Sequence, residues 1–250
     1  MSALLDAFNA REGIVCAVGA GGKKSTLYRL AREHPGRVGV TATSYTTYFP
    51  AELNALEIVS ELPELEQRVL ASEGPGCVAY ARTGDKPARL RGLPISLVRK
   101  LHEMGGFDAT FVKADGARMR WLKSPREDEP VIPDGATTVL MLASARALGE
   151  PLDERIALRL EQIHALCGTR PGDVFSPQHL ATLFSDERGL LKGSEGYTVI
   201  PVINMVDDEA REAMAREAAH LALERSSRFD RVILACMKRD ANPLVDVIWR

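Results

Sequence analysis

The sequence predicts a doubly wound α/β fold built on a mostly parallel sheet. Short apolar runs alternate along the chain with patterns of helical period, which is typical of this class. Several runs are apolar throughout, as expected of strands buried on both faces of a parallel sheet. The predicted strands are residues 14–18, 38–43, 77–81, 109–114, 138–143, 199–203 and 232–235. The predicted helices are residues 25–33, 64–73, 96–104, 154–166, 177–184 and 208–225.

Two stretches interrupt this alternation. Residues 124–135 (SPREDEPVIPDG) contain three prolines, which regular elements tolerate poorly, so an ordered loop is expected there. Residues 151–192 contain only helical patterns between two predicted strands and exceed a normal crossover in length, which predicts a helical insertion or lid. With 250 residues and 45% hydrophobic content the chain can bury a substantial core. We interpret residues 1–250 as a single domain that carries this insertion.

Charge and cysteine content narrow the class of function. The 32 basic and 34 acidic residues leave a net charge of -2, which gives no general attraction to nucleic acid or membranes. The four cysteines lie far apart without a C-x-x-C pair, which argues against a metal cluster or a disulfide framework. No leader pattern and no run of membrane-spanning length occurs. We expect a soluble, cytoplasmic protein in which any anion binding is local.

The segment GAGGKKST, residues 19–26, follows the first predicted strand and is typical of a phosphate-binding loop. Glycines let successive backbone N–H groups converge on phosphate oxygens, and the following helix directs its positive end at the same anion. The segment therefore predicts a sheet of the P-loop NTPase type that binds Mg²⁺ with a nucleoside triphosphate, ATP or GTP. The residues expected to bind the nucleotide here are Gly19, Ala20, Gly21, Gly22, Lys23, Lys24, Ser25 and Thr26.

The pattern G-x-x-x-x-G-K-[ST] fits this segment in two imperfect registers. If Lys23 serves the phosphate, Gly22 precedes it correctly, but Ala17 replaces the first glycine and Lys24 the magnesium hydroxyl. If Lys24 serves it, Ser25 supplies the hydroxyl, but neither glycine of the pattern is present. We favour Lys23 because three glycines lie just before it, with Ser25 or the next residue supplying the hydroxyl. A glycine-rich turn without a ligand is the alternative.

A second candidate site lies in FVKADGA, where a predicted strand ends in Asp115 and Gly116. An aspartate there lies at the sheet edge where α/β proteins bind ligands, and with Ser25 it would hold Mg²⁺. An ordinary Asp-Gly turn explains the same residues about as well. The cations that follow would bind phosphate or another anionic substrate, or would be ordinary surface charges; they are Arg118, Arg120 and Lys123.

Polar residues also end two other predicted strands. Thr43 offers a hydroxyl for magnesium or a γ-phosphate, although threonine is common in strands. Asn204 and Asp207 have the spacing of the base-reading motif N-K-x-D, with Met205 in place of lysine. Such an aspartate accepts hydrogen bonds from a guanine edge, but an N-cap for the next helix explains it equally well. The missing lysine leaves the base preference open.

In their order along the chain, these pieces resemble the YqeC family, accessory proteins of selenium-dependent molybdenum hydroxylases. The resemblance spans almost the whole chain and rests on GAGGKKSTLYRLA, TATS, KADGARMRWLKSP, EPVIPDGATTV, ALGEPLDERI and VIPVINMVD. It implies a P-loop NTPase fold and a role in maturing a molybdenum-cofactor enzyme. The positions that match the family's phosphate loop, acidic motif and base-reading segment are Gly19, Gly21, Gly22, Lys23, Asp115, Gly116, Asn204 and Asp207.

Three positions depart from the family pattern. Lys24 stands where the family more often has threonine, Lys113 where it usually has glutamate, and Met205 where lysine is common. The loss of a hydroxyl and of an acidic group implies weak magnesium binding and weak or absent hydrolysis. The two added lysines imply stronger anion binding.

We therefore interpret the chain as a nucleotide-binding accessory protein that couples nucleoside triphosphate binding or hydrolysis to assembly of a molybdenum hydroxylase. Lys23 and Asp115 are its expected catalytic residues, which makes it a candidate P-loop NTPase. One alternative is a phosphoryl or nucleotidyl transferase that acts on a molybdenum cofactor precursor. Another is a non-catalytic nucleotide sensor or carrier of an anionic cofactor. The expected partners are a nucleotide and a molybdenum hydroxylase or its cofactor, and a homodimer is left open.

Overall fold

The computed structural model describes residues 2–250 and contains a mostly parallel α/β sheet with helices, as predicted. The chain packs into two compact units, which are described separately. The first contains the described residues up to Ala17, with Thr26–Gly116 and Val131–Thr138. The second contains Val18–Ser25, Ala117–Pro130 and Val139–Arg250. The single-domain interpretation stays a prediction.

The first unit is built on parallel strands in the order β1-β5-β2-β4-β3. These strands are β1 (Gly13–Gly19, here up to Ala17), β2 (Arg37–Ala42), β3 (Leu56–Ser60), β4 (Gly76–Arg82) and β5 (Ala109–Lys113). Its helices are α1 (Ala3–Ala7), α2 (Lys23–Glu33, here from Thr26), α3 (Glu64–Ala71) and α4 (Ile95–Met104).

The pairing and burial of β1 explain why the first apolar run becomes a strand. In β1, Gly13 pairs with Ala109 of β5 and Ala17 pairs with Lys113, in parallel register. Every residue from Ile14 to Gly19 is buried, so both faces of the strand are covered. A continuous apolar run is what such a position requires.

The second unit contains strands in the order β7-β9-β10-β11, with β10 parallel to β9 and antiparallel to β11. These are β7 (Ala136–Ser144, here from Val139), β9 (Thr198–Asn204), β10 (Arg231–Ala235) and β11 (Leu244–Trp249). A separate parallel pair joins β6 (Leu122–Lys123) to β8 (Ala157–Leu158). The helices are α5 (Leu160–Cys167), α6 (Pro177–Ser185) and α7 (Glu209–Arg225).

The predicted helix over residues 154–166 is wrong in its first part. The Asp153 carboxylate accepts hydrogen bonds from the backbone N–H groups of Arg155 (2.7 Å) and Ile156 (3.3 Å), which closes a turn. Strand β8 follows, and Arg159 adopts a left-handed backbone with φ +64° before α5 begins. The expectation of only helical structure in residues 151–192 is therefore wrong at β8.

Two strands at the ends of the sheet order, β3 and β11, were not predicted. Strand β3 includes Glu57 and β11 includes Asp246, so neither run is continuously apolar. The loop predicted at residues 124–135 is confirmed, since no helix or strand occurs there. Within residues 2–250, no helix combines the length and apolar character needed to cross a membrane.

Candidate functional site

The glycine loop between β1 and α2 has a backbone that only glycine fits. Gly19, Gly21 and Gly22 have φ of +86°, +82° and +114°. A Cβ on Gly19 would lie 2.3 Å from the Leu142 carbonyl oxygen, and one on Gly21 would lie 2.5 Å from the Ser144 nitrogen. The three glycines are thus required both by backbone conformation and by close packing.

Two amides of this loop are engaged inside the protein. The N–H of Ala20 donates to the Leu142 carbonyl at 2.9 Å, and the N–H of Gly21 donates to the Arg120 carbonyl at 3.2 Å. These bonds hold the loop against the end of β7 and against the turn at residues 117–120. Helix α2 begins directly afterwards at Lys23, and a helix start attracts anions through its first-turn amides and its dipole.

The two lysines of the loop differ in position. Lys23 is only 5% exposed, and its ammonium group donates to the Gly19 carbonyl, so the charge lies on the loop itself. Lys24 is half-buried, and burial lowers the pKa of its ammonium group. The Lys23 ammonium group is therefore held on the glycine loop.

The two hydroxyl residues of the loop also differ. The Ser25 Oγ donates to the Gly22 carbonyl at 3.0 Å, and Ser25 lines the adjoining cleft. Thr26 is fully buried and belongs to the first unit. Of the two, Ser25 is the hydroxyl that reaches an accessible surface in the second unit.

Asn204, at the end of β9, braces the glycine loop. Its side chain is 2% exposed; the Nδ2 donates to the Gly21 carbonyl at 2.8 Å, and the Oδ1 accepts from the Met237 N–H at 3.1 Å. A Cβ on Gly22 would lie 2.2 Å from the same Nδ2. The Asn204 amide thus links the glycine loop to the chain that follows β10.

A cleft of about 110 Å³ adjoins the start of α2. Its lining comes from the ends of β7, β9 and β10 as well as from α2, so four elements contribute to it. The lining residues are Ser25, Arg146, Asn204, Met205, Asp207, Cys236, Met237 and Lys238.

Asp207 carries the negative charge of this cleft. Its Oδ2 accepts from the Arg146 guanidinium, with Nε at 2.7 Å, and its Oδ1 accepts from the Cys236 thiol at 3.1 Å. Burial alone would raise the pKa of Asp207, but the hydrogen bonds from Cys236 and Arg146 outweigh it and lower that pKa. The pKa of the Cys236 thiol is raised, mainly by burial and next by its hydrogen bond to Asp207. The thiol therefore stays protonated and acts as the donor. The cleft thus presents an ionised carboxylate beside a guanidinium.

Met205 occupies the position of the lysine in N-K-x-D. Its backbone is left-handed, with φ +63°, and its Sδ accepts from the Ser144 Oγ at 3.1 Å. A non-glycine residue in this region is uncommon and indicates that the surrounding structure fixes the turn. Asn204 and Asp207 are therefore held on opposite sides of a constrained turn.

The turn at residues 117–120 lies against the glycine loop and is also left-handed. Arg118 has φ +45° and Met119 has φ +64°, and Met119 is 93% exposed. The Arg120 carbonyl accepts from Gly21, and its guanidinium donates to the Arg118 carbonyl at 3.3 Å. Of the predicted cations, Arg120 is directly bonded through its backbone to the loop.

Lys123, a third predicted anion-binding cation, is buried inside the second unit. Its ammonium group is 2.7 Å from the Glu129 carboxylate, with side-chain exposures of 0% and 8%. Arg159 lies 3.0 Å from the same carboxylate. The charge of Lys123 is therefore balanced within the protein, and we leave it out of the site.

Two further predicted residues, Asp115 and Thr43, belong to the first unit. Asp115 is 2% exposed and lies two residues beyond the end of β5. The Thr43 Oγ1 donates to the Val131 carbonyl at 2.5 Å, so this hydroxyl is engaged in holding a loop. Lys113, at the end of β5, donates to the Ser44 hydroxyl at 2.8 Å. The magnesium role of Asp115 stays a prediction.

Sequence reasoning missed Arg146, Cys236, Met237 and Lys238. Arg146 follows the end of β7, and the other three follow the end of β10. The rule that ligands bind beyond the carboxyl ends of parallel strands applied equally to these two strands. The positions of these residues just after two predicted strands were visible in the sequence, but no short motif marked the residues themselves.

Comparisons with known proteins give a consistent result. A family model described as "YqeC protein" matches residues 15–161. The chain is also 24% identical over 184 residues to an Escherichia coli (strain K12) protein described as "Uncharacterized protein YqeC". That alignment covers 73% of this chain and 71% of the relative.

Proposed function

Since the chain belongs to the YqeC family, we propose that it is a nucleotide-binding accessory protein for maturation of a selenium-dependent molybdenum hydroxylase. In this proposal the glycine loop holds the phosphates of a nucleoside triphosphate, ATP or GTP, and the adjoining cleft receives the base. Binding or hydrolysis of the nucleotide is coupled to assembly of the hydroxylase or its cofactor.

The position of Lys23 is the observation that supports the proposal most strongly. Its ammonium group lies on a loop whose three glycines leave no room for side chains, and α2 begins at the same residue. A tight glycine loop, a point charge and a helix start are what polyphosphate binding requires. In the proposal Lys23 neutralises charge on the β- and γ-phosphates.

The cleft supports a nucleotide rather than a simple phosphate ion. Asp207 offers a carboxylate with a lowered pKa, and Arg146 offers hydrogen-bond donors beside it. Paired acceptors and donors suit the edge of a nucleobase. The Asn204 amide is 2% exposed and both of its polar atoms are engaged, whereas the Asp207 carboxylate keeps 25% exposure and can accept further hydrogen bonds. We therefore assign base contacts to Asp207 and loop bracing to Asn204.

The fit to Mg²⁺ is partial. Magnesium prefers oxygen ligands and usually keeps several waters while it binds substrate phosphates. In the second unit the Ser25 hydroxyl is the group beside the loop that suits this role, and it already donates to Gly22. A bound magnesium ion would help neutralise the phosphates, with Ser25 as its protein ligand in the second unit.

A non-catalytic nucleotide sensor or cofactor carrier is the second candidate. It is favoured by Lys24, which takes the usual position of the magnesium hydroxyl in the Lys23 register. An ammonium group cannot ligate a metal ion, so anion binding would be kept while metal-dependent turnover would be weakened. Tight nucleotide binding without phosphate release would distinguish this candidate from an NTPase.

The two loop lysines provide a matched pair for testing the phosphate site. We expect Lys23→Ala to weaken binding of ATP or GTP by about 10- to 100-fold in calorimetric titration, since it removes a charged hydrogen bond. Lys24→Ala is the control and should weaken binding by less than about 5-fold. The reverse order would move the assignment to Lys24, and unchanged affinity in both variants would contradict a phosphate site in this loop.

The accessory role needs a separate assay. A molybdenum hydroxylase purified without its cofactor should recover more activity when cofactor, nucleotide and this protein are added together than without the protein. Lys23→Ala should lose that gain. Equal recovery with and without the wild-type protein would contradict the accessory role while leaving nucleotide binding intact.

A further inference from the structure

The turn of residues 117–120 places one arginine next to the glycine loop. The Arg120 carbonyl accepts from the Gly21 N–H at 3.2 Å, and the neighbouring Trp121 carbonyl accepts from the Ser144 N–H at 3.1 Å. Ser144 is also the residue that a Cβ on Gly21 would strike. The backbone of Arg120 is therefore fixed between the loop and the end of β7.

Arg120 differs from the buried Lys123 in how its charge is balanced. Lys123 is buried against Glu129, whereas among residues 2–250 no carboxylate lies within ion-pair distance of the Arg120 guanidinium. Its Nε is shielded from solvent and has no hydrogen-bond partner in this described part of the chain. In the same part of the chain the guanidinium makes one hydrogen bond, from Nη1 to the Arg118 carbonyl.

The shielded Nε–H is unfavourable without an acceptor, because the desolvation of this donor is uncompensated. An anion in the adjacent loop would supply the missing acceptor. Arginine suits a phosphate better than lysine does, since its planar group donates two parallel hydrogen bonds. Arg120 thus has the chemistry of a phosphate ligand, and its backbone is bonded to the glycine loop.

We propose that Arg120 binds the terminal phosphate of the nucleotide and so selects triphosphates over diphosphates. This inference rests on the proposed nucleotide site and names the residue that reads the length of the phosphate chain. Lys23, inside the loop, would meet the β-phosphate, which both nucleotides carry, as well as the γ-phosphate, whereas Arg120, in the flanking turn, would meet the γ-phosphate alone. The selection applies whether the protein hydrolyses the nucleotide or only senses it.

The test compares affinities for a nucleoside triphosphate and its diphosphate in calorimetric titrations. Arg120→Ala should weaken triphosphate binding by about 10- to 100-fold and diphosphate binding by less than about 3-fold. Arg170→Ala is the control, because Arg170 is an exposed arginine of the same unit that lies outside the candidate site, and it should leave both affinities within about 2-fold of wild type. Equal losses for both nucleotides, or no loss, would overturn the inference.

Two further measurements keep the outcome interpretable. Arg120→Lys keeps the charge but loses the planar fork, so it should fold like wild type in thermal unfolding and still discriminate less between the two nucleotides. Inorganic tripolyphosphate tests the phosphate site without the base. Arg120→Ala should weaken the binding of tripolyphosphate as much as it weakens the binding of the nucleoside triphosphate. If wild-type protein binds tripolyphosphate and the Arg120→Ala variant binds it equally well, the Arg120 assignment alone is overturned. Wild-type protein that binds no polyphosphate overturns the nucleotide site itself.

Discussion

Asn204 gives the sharpest structural prediction, because one buried amide joins two segments that form the site. Asn204→Ala removes the bond from Nδ2 to the Gly21 carbonyl (2.8 Å) and the bond from the Met237 N–H to Oδ1 (3.1 Å). The side chain is 2% exposed, so both backbone groups would lose a buried partner.

The expected loss follows from those two groups. A buried polar group left without a partner costs about 1–3 kcal/mol, and water entering from the adjoining cleft would recover part of this. We therefore expect Asn204→Ala to lower the free energy of unfolding by about 2–4 kcal/mol. Nucleotide affinity should also fall, because Gly21 and Gly22 would no longer be braced.

Urea denaturation followed by circular dichroism measures the first effect, and calorimetric titration measures the second. Gln178→Ala is the control, because Gln178 also makes a side-chain amide bond, to Glu217 at 2.8 Å, but on an exposed surface. It should change the free energy of unfolding by less than about 0.5 kcal/mol. A loss in Asn204→Ala no larger than in Gln178→Ala would refute the bracing role.

Three further predictions concern the same unit and the loop. Glu129→Ala should lower the free energy of unfolding in urea by about 3–5 kcal/mol, since Lys123 and Arg159 lose their buried counter-ion. The control is Glu127→Ala, at an exposed position, which should leave the free energy of unfolding nearly unchanged. Gly22→Ala should lower the unfolding temperature more than Gly74→Ala does. Both glycines have positive φ, but only at Gly22 would the added Cβ collide with a neighbour, whereas nothing lies within 4 Å of it at Gly74. The pKa of Asp207 is lower in the folded protein than in the unfolded chain, so the ionised carboxylate stabilises the fold at pH values above the pKa of the unfolded chain. This stabilisation is lost as the pH falls through the pKa of the folded protein. Wild type should therefore exceed Asp207→Asn in urea midpoint at pH 7, with a gap that narrows below about pH 4; a constant gap would contradict this.

The sequence predicted the framework of the fold well because the central strands are apolar on both faces. Strand β1 and the glycine loop were recognisable from consecutive residues, since each depends on local composition. The strands β3 and β11 were missed because polar residues such as Asp246 interrupt their apolar pattern. Helix α5 was placed too early, because helical periodicity does not reveal the turn that the Asp153 carboxylate closes.

The site was predictable only where it is local in sequence. The loop glycines and Lys23 are neighbours in the sequence and form one recognisable motif. In contrast, the ion pair of Lys123 with Glu129 was not recognisable, because Glu129 appeared only as one residue of an acidic loop. The cleft needed the ends of three strands to be brought together, so Arg146 and Cys236 had no motif to mark them. Asn204 was expected to read a base, and only its two buried bonds indicate that it braces the loop.

The most direct test of a nucleotide site is a titration of the wild-type protein with ATP, GTP and CTP, with and without Mg²⁺. Heat of binding and release of phosphate should be followed in the same samples. We predict saturable binding of ATP or GTP at one site per chain, with phosphate release dependent on magnesium if the protein is an NTPase and absent if it is a sensor. Failure to bind any of the three nucleotides, under either condition, would contradict the account.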